Sequence, residues 1–171
     1  MGRLFDGVSS ILGITDRASY EGQGAVLLEA AATKTDRVFP YVLEQRNGLR
    51  RFDYRPMIHE IWERKQAGAP IGELAAGFMN TLVRMTGEMC RAIREDTGLD
   101  RVVLSGGSMQ NIYVLTRLLT GLRGDGFSVY RHNRVSANDE GISLGQSFIA
   151  SRGGEEYVPC HSASDHADRR A

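Results

Sequence analysis

From Ile71 to about Glu95 the chain keeps one apolar side: Ile71, Leu74, Ala75, Phe78, Leu82, Met85, Met89 and Ile93 recur at helical spacing. A helix of about six turns with one apolar face needs other elements to cover it. The chain beyond this helix alternates. A β-branched strand over 101–105, a helix over about 109–123, a strand around 127–131 and a helix opening at "NDEGISLGQSFIAS" give helix, strand, helix, strand, helix. That order favours an α/β layer, in which ligand sites gather at the carboxyl ends of the strands.

The first half is read the same way. Met1, Leu4, Phe5, Val8, Ile11 and Leu12 give residues 1–12 one buried helical face, stopped at Gly13. A polar loop over 15–25 leads into a second helix from roughly Glu21 to Thr33. "YVLEQRNGLRRFDY" (41–54) is a hairpin turning at Asn47-Gly48, and "RPMIHEIWERKQ" (55–66) is a short helix with Pro56 in its first turn. After Arg152 the chain has little to bury, so one domain over 1–151 and a disordered polar tail over 152–171 are expected.

Composition narrows the class. The 171 residues are 42% hydrophobic, and 21 basic residues balance 21 acidic ones. A balanced charge argues against nucleic acid or an anionic membrane as partner. No apolar run reaches the ~20 residues of a membrane helix, and no signal peptide opens the chain. Cys90 and Cys160 have no metal-ligand spacing and suggest no disulfide framework. A reduced, cytoplasmic protein is expected.

Three motifs carry chemistry. In "LSGGSMQN" (104–111), Gly106 and Gly107 sit at a strand-to-helix turn. Backbone N–H groups there suit a phosphate or the polar edge of a nucleotide, and Asn111 offers a donor and an acceptor. A tight turn with no ligand explains the glycines equally. In "ANDEGISLGQ" (137–146), Asp139 either caps the next helix or ligates a metal carried by nucleotide phosphates. The paired Gly141 and Gly145 suit close packing of that helix. In "MGRLFD" with "SYEGQG", Asp6 is either a solvated charge or an acceptor for ribose hydroxyls. The four histidines, at 59, 132, 161 and 166, show no metal spacing.

In combination and order these stretches resemble the C-terminal part of the HypF family, the carbamoyltransferases of [NiFe]-hydrogenase maturation. The resemblance covers about residues 1–151. It implies the C-terminal lobe of an actin/hexokinase/Hsp70-like (RNase H-like) ATPase fold, helix-rich with a small mixed sheet. It also implies a nucleotide site on Asp6, Glu21, Gly22, Ser105, Gly106, Gly107, Gln110 and Asn111, with Asp139 as metal ligand. The ligands would be ATP or carbamoyl-adenylate and a divalent metal, magnesium or iron. The acceptor would be a C-terminal cysteine of the partner HypE, so no nucleophile–base pair is required here.

The family's acylphosphatase-like, zinc-finger and adenylate-forming modules are absent, as is the first half of the ATPase-type fold. A fragment is therefore expected: weakly active or inactive alone, and dimeric through apolar stripes of the 1–12 and 71–95 helices left uncovered by missing neighbours. Two other readings compete. One is a non-catalytic half-domain that binds a nucleotide or a partner. The other is a fragment of a tRNA threonylcarbamoyl-type transferase.

Overall fold

A computed structural model describes residues 2–152 of the chain; the expected tail from 153 onward lies outside them. Six helices and four strands run in order: α1 (Gly2–Leu12), α2 (Gln23–Ala31), β1 (Val42–Arg46), β2 (Leu49–Asp53), α3 (Arg55–Gln66), α4 (Ile71–Thr97), β3 (Arg101–Leu104), α5 (Ile112–Gly124), β4 (Ser128–Arg131) and α6 (Ile142–Arg152). Short 3-10 turns at Gly107–Gln110 and Asp139–Gly141 precede α5 and α6. None of the helices is long and apolar enough to cross a membrane.

The spine is α4. Its residues from Leu74 to Leu82, Asn80 apart, lose almost all solvent contact, because α1, α2, α3 and α5 all pack on it. Phe5 of α1 meets Phe78 of α4 edge to face, with ring centroids 5.1 Å apart, the arrangement that aromatic quadrupoles favour. Leu12, Leu28, Met57, Ile61, Leu118 and Leu122 complete the same core. The extended stretch after α2 is sealed by hydrogen bonds rather than by a sheet. Thr81 Oγ1 accepts from the Phe39 amide at 2.8 Å and donates to the Gly77 carbonyl at 2.7 Å.

The strands form two separate ladders instead of one mixed sheet. β1 and β2 pair antiparallel through a turn in which Asn47 (φ 52°) and Gly48 (φ 76°) both take positive φ, the type I′ geometry that Asn-Gly favours. Arg50 anchors this hairpin to α4, donating to the Ala92 carbonyl and the Asp96 carboxylate. β3 and β4 pair parallel, joined by α5, with Val102 opposite Val129 and Val103 opposite Tyr130. The inner residue Leu104 is buried, while Val103 (69%) and Tyr130 (55%) stay open to solvent.

The stripes expected to be uncovered are therefore covered over α1 and the middle of α4, though not at the ends of α4. Phe5, Val8 and Leu12 of α1 and the apolar face of α4 bury one another within this one lobe. Exposed apolar residues include Ile71 and Ile93 at the two ends of α4, both 42% exposed, the outer face of β3–β4, and α6, where Phe148 and Ile149 are 58% and 69% exposed. Parallel sheets are normally covered on both faces, so this open face is unusual.

Replacing Thr81 by Val keeps the shape but leaves the buried Phe39 amide unpaired. A loss of about 1–3 kcal/mol is expected, read as a lower urea midpoint at unchanged slope.

Candidate functional site

Four segments of the chain meet around a cleft of about 610 Å³. α1 supplies Arg3, Phe5 and Asp6; the start of α2 supplies Glu21, Gly22, Ala25, Val26 and Glu29. The turn before α5 supplies Gly107, Ser108, Gln110 and Asn111, and the turn before α6 supplies Asn138, Asp139 and Glu140. The α1 and α2 walls come close because residue 24 is glycine. A Cβ there would stand 2.9 Å from Asp6 Oδ1 and 3.3 Å from the Asp6 Cα. Gly24 thus lets α2 approach Asp6, which shares the cleft lining with Glu21 and Gly22.

The "SGG" turn divides its work. Gly106 takes φ 93° and ψ 160°, a conformation essentially restricted to glycine. Its amide donates to the Ala137 carbonyl at 2.9 Å, and the Ser105 hydroxyl is hydrogen-bonded to His132 Nε2 at 2.8 Å. Neither Ser105 nor Gly106 lines the cleft. Gly107 does, and a Cβ on it would meet nothing within 4 Å.

Two expectations are corrected at the helix ends. Asn111, 7% exposed, is the N-cap of α5: its Oδ1 accepts from the Val114 amide at 2.8 Å. The Glu29 carboxylate accepts from the Tyr113 amide at 2.9 Å. Two amides in the first turn of α5 are thus already satisfied by side-chain oxygens, and its dipole faces a carboxylate. A phosphate here would rely instead on the turn residues Gly107 and Ser108. In the second case, Asn138 rather than Asp139 caps the turn before α6, accepting from the Glu140 amide at 3.1 Å. Asp139 is exposed, free of the capping role that competes with ligand binding.

The cleft is acidic. Asp6, Glu21, Glu29, Asp139 and Glu140 face a single guanidinium, that of Arg3. Among the described residues no group of three His, Cys, Asp or Glu side chains is placed to hold a metal ion. Reasoning from sequence missed Arg3, Glu29, Ser108, Asn138 and Glu140. One signal was available for Glu29. Positions 22, 25, 26 and 29 follow helical spacing, so the face that begins at Gly22 continues to it. Gly141 does serve close packing, since a Cβ there would lie 2.9 Å from the Ser136 carbonyl oxygen, whereas Gly145 has open space.

Among known proteins, residues 1–146 match the family described as "Carbamoyltransferase, Kae1-like Domain, second subdomain". Fold and match together define one lobe of a Kae1-like transferase domain. The chain is 31% identical over 160 residues to the carbamoyltransferase HypF of Synechocystis sp., covering 92% of this chain and 20% of that protein. It is 33% identical over 151 residues to HypF of Rhizobium leguminosarum bv. viciae, covering 88% and 19%. A crystal structure of full-length HypF in its phosphate- and nucleotide-bound form superposes with TM-score 0.84 at 38% identity, over 89% of this chain and 20% of that one. The chain belongs to the HypF carbamoyltransferase family, and it spans about a fifth of the length of these relatives.

Substitution separates the two turn glycines. Gly106→Ala should cost about 1–3 kcal/mol, because alanine is strained at that φ and ψ. Gly107→Ala should stay within ~0.5 kcal/mol. Chemical denaturation of the two variants beside the parent checks the contrast.

Proposed function

We propose that this lobe forms one wall of the nucleotide site of an ATP-dependent carbamoyltransferase. In the complete enzyme, the carbamoyl group passes from carbamoyl-adenylate to the C-terminal cysteine thiolate of HypE. The observation that supports it is convergence: Asp6, Glu21, Gly22, Gly107, Gln110, Asn111 and Asp139 come from separate parts of the chain and line one cleft. Asp6 and Glu21 supply carboxylates that accept from ribose hydroxyls. Gly107, without a side chain, lets the nucleotide approach the backbone.

The charge of the cleft sets a condition on the ligand. Five carboxylates against one guanidinium repel bare phosphates, so a divalent cation has to accompany them. The residues fit part of such a site. Asp139 is an exposed carboxylate outside the capping interaction and serves as one ligand, with phosphate oxygens and water supplying others. An all-oxygen set of that kind suits magnesium better than iron. The cation would neutralise phosphate charge, and the lobe's own contribution is to orient the nucleotide and hold that charge in place.

Among the described residues Cys90 carries the one thiol, and it does not line the cleft. Cys90 is half-buried in α4, and burial pushes its thiol pKa up, away from the reactive thiolate. The same acidic cleft disfavours the tRNA-modifying alternative, since an RNA backbone seeks cationic surface.

Titration calorimetry with ADP tests the reading. Binding is expected only with Mg²⁺ present and should vanish on chelation. Gly107→Leu should weaken it more than tenfold with little change in melting temperature, because a Cβ at this position meets nothing within 4 Å and its φ is not in the left-handed region. Asp6→Asn should cost roughly 1 kcal/mol. Equal affinity in the parent and Gly107→Leu would remove the cleft as the nucleotide site.

A further inference from the structure

The segment from His132 to Gly141 is held mostly by itself. Ser136 Oγ donates to Asn138 Oδ1 at 2.6 Å, the Glu140 amide donates to the same oxygen, and the Gly141 amide donates to the Asn138 carbonyl at 3.1 Å. The next helix, α6, packs mainly against the Asp139–Gly141 turn. Among the described residues two hydrogen bonds tie this segment to the rest of the lobe. Both end on adjacent residues after β3: Ser105 to His132 at 2.8 Å, and the Gly106 amide to the Ala137 carbonyl at 2.9 Å. Ser105 and His132 stand just beyond the carboxyl ends of the paired strands β3 and β4.

A serine bonded to an imidazole also has the geometry of an activated nucleophile. Here that role lacks its other parts. Neither residue lines the cleft, and among the described residues no carboxylate is hydrogen-bonded to His132 to orient it. What the bond does is mechanical. The hydroxyl can donate to a neutral ring nitrogen or accept from a ring N–H, so it joins the two strand ends in either tautomer.

We propose that Ser105 and His132 are a positioning pair: their hydrogen bond latches the 132–141 segment to the Gly106–Gly107 turn. It thereby sets where Asp139 and Glu140 stand in the cleft that Gly107 also lines. Ser105 thus acts through His132 and not by touching the nucleotide. The functional consequence rests on the nucleotide reading of the cleft; the latch itself does not.

Hydrogen exchange by mass spectrometry on the 171-residue chain decides it, with Ser105→Ala, His132→Ala, the double variant and Ser105→Thr. Amides over 137–142 should exchange about five- to tenfold faster in each alanine variant, the effect of one lost hydrogen bond. The double variant should be no faster than either single one, and Ser105→Thr should restore protection. Peptides from α1 and α4 should be unaffected, which excludes general unfolding. Unchanged exchange over 137–142, or effects that add in the double variant, would overturn the latch. ADP affinity measured with Mg²⁺ supplies the second readout: the three alanine-containing variants should share one loss of about five- to tenfold. Faster exchange with parental ADP affinity would overturn the positioning role. A parent chain that binds no ADP would instead defeat the nucleotide reading, with exchange still deciding the latch.

Discussion

The contact between Phe5 and Phe78 fixes where α1 lies on α4, and much of the lobe depends on it. Asp6 is the next residue after Phe5, so seating that ring turns the carboxylate toward the cleft as it closes the core. Gly24 then determines how near α2 can come, because any Cβ would strike Asp6 and the Cβ of Ser9. A hydrophobic contact and a missing side chain together set one wall of the site. Packing and function are thus carried by neighbouring residues on the same helices, and a disturbance in the core would be felt at the cleft.

The opposite wall is built from hydrogen bonds. Glu29 reaches from α2 to the Tyr113 amide, 84 residues away in sequence. Asn111 caps the same helix, and Tyr113 Oη donates to Asn80 Oδ1 at 3.0 Å. These bonds fix the start of α5 against α2 and α4. They also use two of the donors that a helix N-terminus would otherwise present to an anion. The cleft that results is acidic, so an anion would enter it only with a cation alongside.

Local structure was legible in the sequence because its causes are local. Apolar residues three and four apart placed α1, α3 and α4, and Asn47-Gly48 placed the hairpin turn, since both depend on bonds and torsions within a few residues. The motif stretches also named most of the cleft: Asp6, Glu21, Gly22, Gly107, Gln110, Asn111 and Asp139 all line it. The order of the motifs along the chain carried the family, because each stretch holds its own part of a shared surface.

The tertiary structure decided which polar atom does what. Side chains able to cap a helix, ligate a metal or bind a ligand look alike in sequence; the atom that reaches them first settles the matter. Asn138 takes the cap that Asp139 was equally suited to, Asn111 is drawn into α5, and Ser105 is taken up by His132, 27 residues away. The coverage of the apolar stripes was decided in the same way. A stripe's width is written in one helix, but its burial depends on the helices that pack against it. α1 and α4 cover each other, while α6 finds no comparable partner among the described residues. Sequence therefore determined the elements and the residues available to the site. Only the packing of distant segments determined which of those residues were left free to act.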